Sequence, residues 1–126
     1  MPVIEVTDAK KREEACRALI KSLPDWFGLP RVNIQYIKEA GNYKAIGYKC
    51  DDDIVGMIVI KSDYDEDQTQ DVFNIHWMGI DPDYHRQGIG KKLVAALCAK
   101  AREAGVETVT VETLNPKALM ISLSII

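Results

Sequence analysis

The stretch that decides the fold is His85-Arg86-Gln87-Gly88-Ile89-Gly90-Lys91-Lys92. It follows an apolar run, Val72-Phe73-Asn74-Ile75-His76-Trp77-Met78-Gly79-Ile80, and a turn, Asp81-Pro82-Asp83-Tyr84. Downstream, Ile89, Leu93, Leu97 and Ala101 recur every four residues, which predicts a helix with one apolar face to about Ala104. Strand, glycine loop and helix start together offer main-chain N–H groups and the positive end of a helix dipole to an anion. Gly88 and Gly90 carry no Cβ, so a phosphate can approach the main chain. Lys91 and Lys92 add positive charge, and the chemistry implied is capture of a pyrophosphate.

The spacing excludes two common phosphate loops. Neither the dinucleotide fingerprint G-x-G-x-x-G nor the nucleotide loop G-x-x-x-x-G-K-S/T is present. A glycine pair alone is a common turn, so the longer phrase from Trp77 to Leu93 carries the reading.

Outward from this loop, the chain reads as β-α-α-β-β-β-α-β followed by an unassigned tail. Val3 to Val6 is a short strand candidate, and Thr7 or Asp8 can cap the next helix. There Cys16, Leu19, Ile20 and Leu23 fall at i, i+3, i+4 and i+7, and Pro24 ends the run. Pro30 suits the first position of a second helix, ending near Gly41. Tyr43 to Cys50 and Ile54 to Lys61 read as a hairpin turning at Asp51-Asp52-Asp53. Ser62 to Gln70 reads as a polar, acidic loop. Gly105 stands where a helix C-cap glycine belongs, and Glu107 to Glu112 alternates like a strand.

The 126 residues imply one domain, residues 1–126, and 47% hydrophobic residues supply one modest core. A formal net charge of −3 argues against a nucleic-acid partner. No run approaches the ~20 apolar residues of a membrane span, and Met1-Pro2-Val3-Ile4-Glu5 does not look like a secretory signal. Cys16, Cys50 and Cys98 are far apart and odd in number, which suits reduced thiols and a cytoplasmic setting. Asp63, Asp65 and Asp67 are spaced like the start of a calcium loop, but Gln68 and Asn74 occupy the positions that need glycine and glutamate. No metal is expected; the acidic cluster reads as a solvated loop, or as a lure for a cationic amine.

The phrase from Trp77 to Leu93 resembles motif A of the GNAT superfamily of N-acetyltransferases, Gln/Arg-x-x-Gly-x-Gly/Ala, with His85 at its first position. The resemblance implies an α/β (α+β) fold, with a mixed, mostly antiparallel sheet flanked by helices, and acetyl-CoA as cosubstrate. It implies that Met78, Gly79 and Ile80 bond the pantetheine and acetyl groups. Arg86, Gln87, Gly88, Ile89, Gly90 and Lys91 would surround the pyrophosphate through main-chain donors, so side-chain changes at Gln87 or Ile89 should be mild. Asn115 matches a pantetheine-binding asparagine. Trp26 and Phe27 lie in the region that lines the acceptor site in the family, or belong to the core.

Acetyl transfer to an amine needs a proton acceptor. His76 is the candidate catalytic base, because an imidazole titrates near neutrality at ~6.5. Strict alternation puts it on the face of Met78 and Ile80, with Trp77 opposite; the competing reading is a histidine bonded within the sheet. Glu112 is a second base candidate. His85 reads as a helix-start or phosphate neighbour and Tyr84 as packing under the loop.

The resemblance breaks down after Asn115. The family's next helix, with its Tyr acid, and its last strands are missing from the pattern, and Ser122 falls near the Tyr position. The apolar tail should pack on its own sheet edge or on a second copy, giving a homodimer. The expected activity is direct acetyl transfer to a small-molecule or peptide amine, through a tetrahedral intermediate and without an acyl-enzyme. A catalytically impaired CoA-binding or regulatory module of the same fold is the alternative, and a nucleotide-binding module is a third.

Overall fold

The computed structural model describes residues 2–24, 30–64, 71–111 and 121–124. Its elements run β1 (Val3–Glu5), α1 (Ala9–Ser22), α2 (Pro30–Asn42), β2 (Lys44–Cys50), β3 (Asp53–Tyr64), β4 (Asp71–Ile80), a 3₁₀ turn (Pro82–Tyr84), α3 (Ile89–Glu103), β5 (Thr108–Val111) and β6 (Ile121–Ser124). The strands form one sheet in the order β1-β2-β3-β4-β5-β6. Every neighbouring pair is antiparallel except β4 and β5, which are parallel and joined through α3. The fold is thus the mixed, mostly antiparallel α+β architecture expected from the sequence.

Local chemistry accounts for the boundaries. Asp8 caps α1 by accepting hydrogen bonds from the N–H groups of Lys10 (2.8 Å) and Lys11 (3.4 Å). Gly105, at φ +75°, turns the chain out of α3 in the left-handed conformation that favours glycine. The tight turn after Cys50 places Asp51 at φ +56°, a region that aspartate tolerates better than most residues. The predicted loop from Ser62 to Gln70 is shorter than expected. Ser62, Asp63 and Tyr64 pair with Phe73, Val72 and Asp71, so the ladder carries polar residues into strands. The apolar tail takes a place on the chain's own sheet edge, where β6 pairs with β5.

The sheet separates two cores. Ile46, Ile58, Ile60, Ile75, Val109 and the stripe Ile89, Leu93, Leu97 and Ala101 of α3 pack on one face. Met57, Val59 and Trp77 pack on the other, against Cys16, Leu19 and Ile20 of α1 and Ala40 of α2. Both periodicities, two in the strands and near four in the helices, are those read from the sequence. Burial pushes the Cys16 thiol up to about 12.

One side chain ties the second face together. Arg12 on α1 donates from Nε to the Ala40 carbonyl (2.8 Å), from Nη1 to Val6 (2.9 Å) and from Nη2 to Gly41 (2.9 Å). Two of these oxygens belong to the last turn of α2, whose carbonyls lack intrahelical partners. The third lies just beyond β1. A planar fork with five fixed donors makes all three bonds at once, which an ammonium cannot do.

Two stability predictions follow from this packing. Arg12→Lys should cost about 2–4 kcal/mol, since charged-donor bonds to part-buried carbonyls are lost; urea denaturation measures it. For Cys16, the folded thiol stays neutral where the unfolded one, at ~8.5, ionises. Its contribution is complete below about pH 8.5 and is lost as pH rises toward the folded value. Denaturation midpoints between pH 8 and 10.5 should therefore fall more steeply in the native chain than in Cys16→Ala.

Candidate functional site

Strand β4 reaches the site through two irregularities. Among the described residues its parallel pairing with β5 runs from Val72↔Thr108 to Ile75↔Val111. Just before the end of that seam, the buried Asn74 amide donates to Thr110 Oγ1 (2.8 Å), fastening the two strands. From Trp77 to Ile80, β4 is paired along its β3 edge, and no described strand lies on its other edge. Along Met78, Gly79 and Ile80 that outer edge meets no described strand.

The second irregularity is a bulge. Ile75 faces Ile60 and Trp77 faces Val59, so His76 is the extra residue of β4. This overturns the alternation expected from the sequence. Ile75, Met78 and Ile80 pack on the α3 face, whereas Trp77 belongs to the α1/α2 face. His76 points the same way as Trp77, not the way of Met78 and Ile80, because its ring meets residues of α2. Its Nε2 is paired with Glu39 Oε2. Tyr36 and Tyr43 stand edge-on to the imidazole, with ring centroids at 6.0 and 5.5 Å. The His76 and Glu39 side chains are 13% and 16% exposed, and both ring nitrogens of His76 are themselves buried.

At the end of β4 the chain turns through Asp81, whose carboxylate accepts from the Asp83 N–H (2.9 Å). The His85 ring donates from Nε2 to the Ile80 carbonyl (2.7 Å), which holds the loop against the strand end. Tyr84 packs against the α3 core, as expected, and the adjacent Cys50 raises its phenol above the ordinary range. Arg86 and Gly88 adopt positive φ values of +66° and +75°, curling the loop as it enters α3. Alternating left-handed residues turn successive N–H groups into an anion-binding hollow. Gly88 is the N-cap, and no side chain caps the helix there. The first turn of α3 thus keeps its N–H groups for an outside acceptor.

The two glycines divide their roles. A Cβ on Gly88 would meet nothing within 4 Å, so the space over it is open. A Cβ on Gly90 would press at 3.2 Å on Ile80 Cδ1 and Met78 Cε. Gly90 therefore allows close packing of α3 on β4, rather than a phosphate's approach on that side. Gly79 likewise makes room for the Trp77 indole, whose Cη2 would lie 2.6 Å from an added Cβ.

The other expected site residues separate by burial. Arg86, Gln87 and Lys91 are exposed, while Ile89 is 3% exposed and lies in the α3 core. A side-chain change at Ile89 therefore carries a stability cost, apart from any effect on cofactor binding. Lys92 is drawn over the Tyr48 ring, with Nζ 5.5 Å from its centroid. Trp26, Phe27, Glu112 and Asn115 lie outside the described residues, as do Asp65 and Asp67 of the acidic cluster. Glu39, Tyr36 and Tyr43 escaped the sequence reading, since no local spacing links α2 to a bulge in β4.

Among the described residues no group of His, Cys, Asp and Glu is placed to hold a metal ion. Among them, too, no helix is long and apolar enough to cross a membrane. A cavity of about 220 Å³ lies at the opposite end of the sheet, near Lys44 and Ala45. Of its charged lining, Arg12 bonds three carbonyls and Lys100 pairs with Glu5. That pairing holds the Glu5 carboxyl below its usual range.

Residues 12–121 match the sequence model of the acetyltransferase (GNAT) family. No curated protein matches the chain. Among solved structures, ribosomal-protein-alanine N-acetyltransferase from Brucella melitensis biovar Abortus 2308 superposes with a TM-score of 0.70 at 15% identity, over 91% of this chain and 81% of that one. An aminoglycoside acetyltransferase from an uncultured soil metagenomic sample gives a TM-score of 0.66 at 20% identity, over 91% and 78%. The aminoglycoside N-acetyltransferase AAC(6')-Iy in complex with CoA gives 0.66 at 19%, over 90% and 76%. At these identities the likeness is one of fold.

The contrast within the loop is testable. Ile89→Ala should cost about 2–5 kcal/mol in thermal or urea unfolding, as buried aliphatic truncations do. Gln87→Ala should stay within about 0.5 kcal/mol, the range of exposed substitutions.

Proposed function

The chain belongs to the acetyltransferase (GNAT) family, and on that premise we propose that it transfers an acetyl group directly from acetyl-CoA to a primary amine. The observation that supports this most strongly is the start of α3. An open glycine in the left-handed conformation leads into an uncapped helix turn, beside a strand segment paired along one described edge. This hollow fits a pyrophosphate, and the adjoining strand edge fits an extended chain carrying amides.

In this reading the N–H groups of Gly88 to Lys91 bind the pyrophosphate, with Arg86 and Lys91 contributing charge. Main-chain groups of Met78, Gly79 and Ile80 hold the pantetheine arm, and Asn115 assists by analogy with the family. Acetyl-CoA supplies an activated thioester and a thiol leaving group. His76 then has a defined task. An alkyl ammonium at ~10.4 must lose its proton near pH 7, at a cost of roughly 4–5 kcal/mol, and a placed base lowers that barrier. The bulge sets His76 one residue beyond the last described β4–β5 pair.

The acceptor side stays broad. The similar structures are named for aminoglycosides and for a ribosomal-protein alanine, and the proposal covers small-molecule and peptide amines alike. Trp26 and Phe27 are proposed to line the acceptor side and Glu112 to be the alternative base, on sequence grounds. The cytoplasm is the proposed setting and a homodimer the proposed assembly.

Calorimetric titration with acetyl-CoA tests this reading. Micromolar binding is expected in the native chain, and loss by at least about tenfold, or 1.4 kcal/mol, in Gly88→Val. Gly105→Ala is the control, because Gly105 shares φ +75° and open surroundings. It should lose comparable stability, about 1–2 kcal/mol, without losing affinity. Unchanged affinity in Gly88→Val would overturn the loop reading. Amine-dependent thiol release should follow binding, and binding without release would favour the non-catalytic CoA-binding module.

A further inference from the structure

We propose that Glu39 on α2 is the positioning residue of His76. The carboxylate holds the imidazole and fixes which of its nitrogens carries the proton. This inference rests on the reading of His76 as the proton acceptor, and it adds a residue from a different element to that site.

The geometry supplies the argument. Glu39 Oε2 is paired with His76 Nε2. A carboxylate only accepts hydrogen bonds, so Nε2 carries the hydrogen, and in the neutral ring the basic lone pair belongs to Nδ1. The tilt of the ring is restricted as well, since Tyr36 and Tyr43 meet it edge-on at interplanar angles of 70° and 78°. Tyr36 and Glu39 are three residues apart on α2 and so share a face. The turn that carries Glu39 is itself tied down, because Arg12 holds the carbonyls of Ala40 and Gly41. Lys61, on the β3 side, lies over the Tyr43 ring at 6.0 Å. Position and orientation of the imidazole thus depend on α2 as much as on β4.

The chemical step balances. The acceptor's N–H proton passes to the imidazole, directly or through one water, as the amine lone pair forms the bond to the acetyl carbon. The carbon–sulfur bond breaks, and the departing thiolate takes up the proton held by the imidazolium, relayed through water, so that His76 returns to its neutral form. The imidazolium that forms lies against the Glu39 carboxylate, which offsets its charge.

The test uses the intact chain and two readouts. The protein holds two histidines, His76 and His85, so long-range ¹⁵N–¹H spectra of the imidazoles are assigned with a His85→Gln variant. The expected spectrum shows His76 with hydrogen on Nε2. Glu39→Ala should shift that signal toward the other tautomer, and Glu39→Gln, whose amide oxygen still accepts, should restore it. An unchanged tautomer in Glu39→Ala would overturn the proposal whatever the activity. In the second readout, amine-dependent thiol release is followed at saturating acetyl-CoA. Glu39→Ala should lower kcat at least about tenfold with acetyl-CoA affinity unchanged, and His76→Ala/Glu39→Ala should be no slower than His76→Ala alone. Independent, multiplying losses would overturn the positioning role. Full turnover in His76→Ala would instead remove the base reading, while the tautomer result still decides whether Glu39 positions the ring.

Discussion

A single guanidinium governs where the second helix lies. Arg12 gathers three carbonyl oxygens, one just beyond the first strand and two from the last turn of α2. Helix ends carry carbonyls without intrahelical partners, and leaving them buried and unmet is costly. Here the first helix meets that cost for the second. Because α2 has just one fully buried residue, Ala40, its seat depends on this fork more than on apolar area. Tyr36 and Glu39 inherit their positions from it, and through them so does the histidine on the bulge.

The β4 strand serves both sides of the sheet. Its Met78 and Ile80 side chains support the glycine loop and the start of α3, while His76 and Trp77 turn to α1 and α2. The bulge makes this division possible, since it gives two successive side chains to one face. The glycine loop and the His76–Glu39 pair thus use opposite faces of the sheet.

Much of this arrangement was legible in the chain. The stripe Ile89, Leu93, Leu97 and Ala101, the Asp8 cap and the Gly105 stop all follow rules of local spacing, and each was found where expected. The glycine loop was legible because a left-handed N-cap needs glycine. What stayed hidden depends on distant partners. A bulge is a property of two strands, so alternation along β4 alone assigned His76 to the wrong face. Arg12 looks like any solvated helix cation until three carbonyls from elsewhere close on it. Gly90 reads as a phosphate glycine until Met78 and Ile80 are seen beneath it.

The parallel seam carries a consequence for the order in which the molecule assembles. The first four strands are joined to one another by antiparallel ladders, and β2 to β4 form a meander whose pairings are close in sequence. The β4–β5 seam spans four pairs among the described residues and closes only after the whole of α3 has crossed over. Non-local parallel pairing of this kind forms late, because its loop entropy is met before its contacts are gained. A ligand lodged beside this seam would act as a clasp on a late-formed joint of the fold, coupling occupancy to amide protection in β5 more than in the meander.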